Sequence, residues 1–423
     1  MTKKEVIYKI NNQNAEQTID DVLNAMFVDD WNINLHIGNL SKKYLKMIRD
    51  RISGNDGSPC KGYSLQLCAP DMGILNDIDK NDALVKLTVC AIKNGNSRKI
   101  LVSPYLISLT ILKAWIDPEA LIFDVPEINM LTSLTLRYCK LTATFIREIS
   151  EMKQLHLNYL DISHNLCSDD AINPLIKILQ NMPLNHLDIT HNIMNKHSVL
   201  SMFDKPSTCD TLESFCYQVG NYRKQQTDIA DDIDSTDNTD NTDFSRCYNL
   251  QSLWILNFQD TTPIICPMSL TKIDIDIAYD PDEIIIEAEY ILDYLVGTNV
   301  VSCRLSTEIN YFNVSFTQFN PVLEELIIGR CSNSVNSYIE SMLIALPNLN
   351  HVEIKEVVLV IEIDGEDMIV NTIDTDKIES ILKEQAPQMK TFVVQTKTTK
   401  HVFVENKNKQ ITLLSLLTAM IDR

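Results

Sequence analysis

The feature that most constrains this chain is a spaced set of apolar anchors that returns three times in register. Leu131, Leu134, Leu136, Cys139 and Leu141 occupy positions 1, 4, 6, 9 and 11 of a window. Leu157, Leu160, Ile162, Asn165 and Cys167 repeat it 26 residues later, and Leu184, Leu187, Ile189, Asn192 and Met194 repeat it after a further 27. A unit this short cannot bury its apolar face alone, so the recurrence predicts units stacked on copies of themselves. Positions 4 and 6 alternate with polar residues, which marks a short strand with one buried face. Position 9 turns inward, where an Asn side chain can satisfy backbone groups of the neighbouring unit. A helix must then return the chain. Thr142–Met152 and Ser168–Gln180 read that way. In the second, Ser168, Asp169 and Asp170 supply a cap and an acidic first turn, and Ile172, Leu175, Ile176 and Leu179 a buried stripe.

Weaker copies continue on both sides. Upstream stand Leu65/Leu67, Leu84/Leu87/Val89 and Leu106/Leu109/Ile111. Downstream stand Leu212/Phe215/Tyr217, Leu250/Leu253/Ile255, Leu270/Ile273/Ile275, Val300/Cys303/Leu305, Leu323/Leu326/Ile328, Leu349/Val352/Ile354 and Met389/Phe392/Val394. The pattern L-x-x-L-x-L-x-x-[NC]-x-L resembles the leucine-rich-repeat family, and its spacing is similar to the ribonuclease-inhibitor-like and cysteine-containing classes. The resemblance implies an α/β solenoid over residues 60–396, curved, with parallel strands on the concave face, helices outside and irregular outer repeats.

Two interruptions and two ends break the series. Residues 226–243 hold seven Asp and no Lys or Arg, which predicts a disordered acidic loop. Asp234, Asp237, Asp240 and Asp243 recur every three residues without a Gly, unlike a calcium-binding loop. Two apolar runs around Asp364-Gly365 predict a hairpin inserted over about 357–373. A strand pair, Thr391–Gln395 with His401–Glu405, follows, and Ile411–Ile421 reads as an amphipathic helix in a cap spanning 397–423. At the other end, 1–59 reads as a helical N-terminal cap, with helices at 19–27 and 40–50 and an alternating stretch Trp31–Ile37 between them. The spacing over 17–50 is similar to an F-box, without the Leu-Pro that usually opens one; Gln17-Thr18 stands there.

Composition narrows the function. Only 10 residues of 423 are Gly, and no G-x-G-x-x-G, G-x-x-x-x-G-K-[ST] or G-x-S-x-G occurs. The net charge of −20 disfavours nucleic acid and anionic membrane as partners. No apolar run is long enough for a membrane span and the N-terminus does not read as a secretory signal. The 11 cysteines include no C-x-x-C, so reduced, mostly buried thiols in a cytoplasmic or nuclear protein are expected.

What remains is the exposed strand face, where positions 2, 3, 5, 7 and 8 are expected to meet solvent and positions 3, 5 and 8 carry the candidate residues. Positions 3, 5 and 8 place Tyr138, Tyr159, Asp161, His164, His186, Asp188, His191, Trp254, Asp274 and Glu353 there. Aromatics on a rigid surface anchor interfaces, and carboxylates steer basic partners. Asp161, His164, Asp188 and His191 have the chemistry of a zinc set, but they recur because the frame D-I-[ST]-H-N recurs, so neither a metal, a cofactor nor a catalytic role is assigned. The reading is a non-enzymatic scaffold that binds a protein with a basic epitope on the concave face. The alternatives are an F-box-type substrate receptor of a ubiquitin ligase, using an Skp-type adaptor, and a GTPase-activating protein of the Ran-activating type.

Overall fold

The computed structural model describes residues 4–10, 17, 31–37, 43, 63–68, 84–90, 99–101, 104–113, 122–204, 209–218, 242–258, 264–277, 295, 297–309, 322–332, 339–340, 342–344, 346–363, 366–370, 373–396, 399–405 and 411–417. It falls into two compact units, Met1–Leu212 with Gly220–Ile229, and Glu213–Val219 with Ala230–Arg423.

The strands of the first unit are β1 (Lys4–Ile10), β2 (Trp31–Ile37), β3 (Tyr63–Cys68), β4 (Leu84–Cys90), β5 (Lys99–Leu101), β6 (Ser108–Leu112), β7 (Ile122–Asp124), β8 (Ser133–Arg137), β9 (Tyr159–Asp161) and β10 (His186–Asp188). β5 and β7 pair separately. The other eight form one parallel series in chain order. Its register aligns Tyr8, Leu35, Leu65, Leu87, Leu109, Leu134, Leu160 and Leu187. From Leu65 onward these are the position-4 anchors of the sequence windows. Purely parallel pairing requires a crossover between strands. Among the described residues, two crossovers carry a helix described along its length: α1 (Ala143–Glu151) and α2 (Ile172–Asn181), the latter entered by a 3₁₀ turn at Asp169–Ala171. A short α3 (Lys196–Ser201) follows β10. Phe145, Ile146 and Ile149 of α1, and Ile172, Leu175, Ile178 and Leu179 of α2, are buried. Each such side chain contributes about 1.5–3 kcal/mol by leaving water.

Ser168 makes no side-chain cap bond. The Asp169 carboxylate instead accepts from the Asn195 backbone N–H at 2.8 Å, and the Asn195 side chain caps α3 by accepting from Ser198 N–H. One window's acidic turn thus supports the next window's helix.

The N-terminal expectation needs correction. The ladder does not begin near residue 60 but at Lys4, because β1 and β2 extend it by two strands. Val6, Tyr8 and Ile10 alternate like a half-buried strand, a signal too short to show the full window. β2 lies between the two expected helices and pairs on both sides, so the F-box-like segment is built around a ladder strand. The helices themselves lie outside the described residues, apart from the helical Gln17 and Lys43.

The second unit contains β11 (Ser214–Gln218), β12 (Thr242–Asp243), β13 (Ser252–Phe258), β14 (Ile264–Ile265), β15 (Lys272–Ile277), β16 (Ser302–Ile309), β17 (Glu325–Ser332), β18 (His351–Ile363), β19 (Glu366–Val370), β20 (Thr391–Gln395), β21 (Thr399–Glu405) and β22 (Ile411–Leu417), with α4 (Thr375–Gln385) before β20. β12 and β14 pair separately. A parallel series of seven strands aligns Phe215, Leu253, Ile273, Cys303, Leu326, Val352 and Phe392, again the anchors of the weak copies. β18 turns back antiparallel on β19, with Ile363 opposite Glu366 across Asp364-Gly365. β20 pairs antiparallel with β21 and β21 with β22. The expected C-terminal helix is therefore a strand over Ile411–Leu417. β-Branched Ile411 and Thr412 favour it, and pairing with β21 supplies the hydrogen bonds that a lone amphipathic turn would lack. The acidic loop 226–243 lies outside the described residues except for Thr242 and Asp243.

The architecture is mixed α/β, a solenoid-like series of consecutive, mostly parallel strands. Among the described residues, no helix is long and apolar enough to cross a membrane.

Candidate interaction surface on the strand face

The central windows of the first unit are held by an asparagine ladder. Asn165 Oδ1 accepts from Cys139 N–H at 2.9 Å and Leu141 N–H at 3.2 Å, both in the preceding window. Its Nδ2 donates to the carbonyls of Leu136, Ile162 and Ser163. Asn192 repeats this, accepting from Cys167 N–H and donating to Ile162, Ile189 and Thr190 carbonyls. Cys139 holds the same place one window earlier and directs its thiol to the Ile111 and Arg137 carbonyls. The thiol of Cys167, at position 11, is pushed up to about 12 by burial, so it is an apolar anchor and not a nucleophile.

Just before the ladder, position 8 is left-handed. Lys113, Tyr138, His164 and His191 have φ of 58°, 56°, 57° and 54°. The turn lifts each side chain onto the strand face, where stacked windows bring them into line. Tyr138 stacks on His164 with ring centres 4.2 Å apart, and His164 on His191 at 3.9 Å. At position 3, Tyr159 stacks on His186 at 4.3 Å. Offset ring pairs of this kind add about 0.5–1.5 kcal/mol each.

Between the two ring rows lie Asp161 and Asp188, and here the expectation of solvated carboxylates is corrected. Asp161 is 0% exposed and Asp188 3%. Asp161 Oδ1 accepts from Ser163 N–H and Oγ–H, and Asp188 Oδ1 from Thr190 N–H and Oγ1–H at 2.7 Å. Arg137, at position 7 of the preceding window, covers both. Its Nε donates to Asp161 Oδ2 at 2.6 Å, and a terminal nitrogen lies 2.5 Å from Asp161 and 3.6 Å from Asp188. Among the described residues, Asp161, His164, Asp188 and His191 do not form a group whose ligand atoms lie close enough together to hold a metal ion.

Charge follows burial. The His164 ring is pushed down to about 4 by burial, with His191 and Arg137 adding to the effect and Asp161 opposing it. Burial lowers His186 too, against Asp161 and with Arg137 adding, and lowers His191 with Arg137 adding. All three imidazoles are neutral at pH 7. Asp188 is raised by burial and by Asp161, against the Thr190 bonds and Arg137.

The second unit presents a different surface. Trp254 on β13 is opposite Asp274 on β15, which is opposite Arg304 on β16. Trp254 is 37% exposed. Arg304 lies 3.6 Å from Asp274, and its Nε is buried with no hydrogen-bond partner. Asp274 is raised by burial, against Arg304, Lys272 and Lys355. Asp276, two residues along β15, is raised by burial and by Asp274. Glu353 stands apart on β18, between Ile327 of β17 and Val393 of β20.

The sequence-derived residues thus fall into the Tyr138–His164–His191 row, the Tyr159–His186 pair, the buried Asp161–Asp188 pair, the Trp254–Asp274 neighbours and an isolated Glu353. Sequence reasoning missed Arg137, Asp276 and Arg304. The first two are at position 7, which alternation places on the same face as positions 3 and 5; Arg304 is at position 5 of the Val300 window. Among known proteins, no family model matches the chain and no curated protein matches it.

Proposed function

We propose that the chain is a leucine-rich-repeat protein whose strand face recognises a protein partner and performs no catalysis. The observation that carries this reading is the display of aromatic rings on rigid parallel strands. Tyr138 ends its stack 48% exposed, and Trp254 stands out on the other unit's ladder. Rings fixed by ladder hydrogen bonds and stacking lose little entropy on docking, which favours them as interface anchors. The alignment of the position-4 anchors in the strand register supports the family assignment.

The test compares the proteins captured by the full chain with those captured by Tyr138→Ala and Trp254→Ala, each verified as folded by its melting curve. A partner using this face loses at least tenfold in affinity for one of the two variants. Equal capture by both variants overturns the reading. The corrected geometry also changes which variants are informative: reversing Asp161 or Asp188 would disrupt a buried ion pair and report on folding.

A further inference from the structure

We propose that Cys68 and Cys90, on neighbouring strands of the first unit, form a dithiol site that hydrogen peroxide converts to a reversible disulfide across the strand face. The site is independent of the interaction reading above.

The pair is invisible as a sequence motif and is made by the register. Cys68 ends β3 and Cys90 ends β4. Parallel pairing sets them directly opposite each other, next to Gln66 opposite Thr88 and Leu67 opposite Val89. Each stands at position 7 of its window. Alternation puts that position on the face of positions 3 and 5, away from the buried anchors Leu87 and Val89. Paired strands run about 4.8 Å apart, inside the roughly 4.4–6.8 Å between α-carbons that a disulfide spans. Among the described strand pairings, no other sets cysteine against cysteine. A second contact points the same way. The Gln66 side-chain amide on β3 donates to Cys90 Sγ at 3.9 Å, so the sulfur is turned towards the strand that carries Cys68.

Access selects Cys90 as the thiol that reacts first. Cys139, Cys167, Cys209, Cys216, Cys247 and Cys303 are buried, whereas Cys90 is half-buried. Cys266 is half-buried too, but burial pushes its thiol up to about 12, so it stays protonated. Oxidation follows access, and it stops at a reversible product where a second thiol stands close by. The Cys90 sulfur attacks one peroxide oxygen and the O–O bond breaks. Cys90 becomes a sulfenic acid, and the other oxygen leaves as water with the thiol proton. The Cys68 sulfur then attacks the Cys90 sulfur, the S–O bond breaks, and a second water leaves with the Cys68 proton. Two thiols have been oxidised to one disulfide and one peroxide reduced to two waters. In-register β-carbons of parallel strands stand near the strand spacing, wider than the roughly 3.5–4.5 Å of an ordinary disulfide. The bond is therefore held under tension and is readily returned to two thiols by a reducing thiol.

The test treats the reduced full chain with dilute hydrogen peroxide, quenches it by alkylation and maps the proteolytic peptides by mass spectrometry. A peptide joining Cys68 to Cys90 should appear before any other cystine, and glutathione should remove it. Cross-linking should slow by about tenfold or more in urea, where the register that holds the thiols together is lost. In Cys68→Ser, the same peroxide should carry Cys90 on to the sulfinic acid. The result in the unsubstituted chain stands even where that variant fails to fold. Sulfinic acid on Cys90 of the unsubstituted chain, an unreacted Cys90, a disulfide from Cys90 to a different cysteine, or equally fast cross-linking in urea overturns the site.

Discussion

The windows that end in Asn and the windows that do not build their strands differently. β9 and β10, followed by Asn165 and Asn192, are 3 residues long each. Where position 9 is described in the second unit it is Phe258, Glu308, Cys331 or Val357, and the strands there, β13, β16, β17 and β18, run for 7, 8, 8 and 13 residues. Two of those pairings also slip in register, between Ile255 and Phe258 and between Leu305 and Glu308. A side chain that captures the neighbour's backbone groups stops the strand; without it, strand pairing continues until something else intervenes. The asparagine is a terminator as much as a bond.

The largest way to break this contrast is Asn165→Val. It orphans the buried Cys139 and Leu141 N–H groups and the Leu136 carbonyl, each costing about 1–3 kcal/mol. A loss of about 4 kcal/mol in chemical denaturation is expected; a loss under 1 would show that the ladder is dispensable.

The arginines sharpen the comparison next. Arg137→Gln leaves Asp161 and Asp188 buried without a cation, and about 3 kcal/mol of stability should go. Arg304→Gln removes a longer, more exposed pair and should change stability by less than about 1 kcal/mol. Equal melting temperatures for the two variants would erase the distinction between a locked and an open pair.

Acid should separate the two units. His164, His186 and His191 have folded values below the usual histidine value, so the unfolded chain takes up their protons first. Their contribution is complete above about pH 6.5 and is lost as pH falls towards the folded values, about 4 for His164. Asp188 is raised and opposes this at the acid end, because the folded form then holds the proton more tightly. In the second unit Asp274 and Asp276 are raised as well, so acid favours their folded form. After discounting for solvent screening of half-exposed rings, the first unit should lose about 1–2 kcal/mol between pH 7 and 5. Amide exchange resolved by segment measures it, and uniform loss across both units would contradict it.

The smallest effect tests the left-handed turn. Lys113 is exposed with φ of 58°. Lys113→Gly should therefore gain about 0.5–1 kcal/mol, visible as a small rise in melting temperature. A fall would mean that the Lys113 side chain stabilises the turn by more than its backbone costs.

The ladder was legible because its signal is redundant. Leu87, Ile273 or Val352 alone says little, yet each falls at the fourth place of a window, and the register places it against its neighbours. β1 was not legible, since Lys4–Ile10 alternates without the flanking anchors. β22 was misread because Leu413, Leu414, Leu416 and Leu417 suit a helix stripe as well as a strand, and pairing decides. The ring rows could be placed by position. The burial of Asp161 and Asp188 could not, because it depends on Arg137 reaching across from another window, a contact between residues 24 positions apart.

The left-handed turns carry a last consequence. In most proteins a backbone bent that way is given to glycine, which has nothing to display. Here Lys, Tyr, His and Asn occupy it at 113, 138, 164, 191 and 257. The φ stays within 54–58° whichever of them is present, so the backbone geometry does not require one particular side chain. Position 8 then behaves as a socket at fixed pitch, into which successive windows can fit a cation, a ring or an amide. Substitution along that row would rewrite what the face recognises while leaving the scaffold beneath it unaltered.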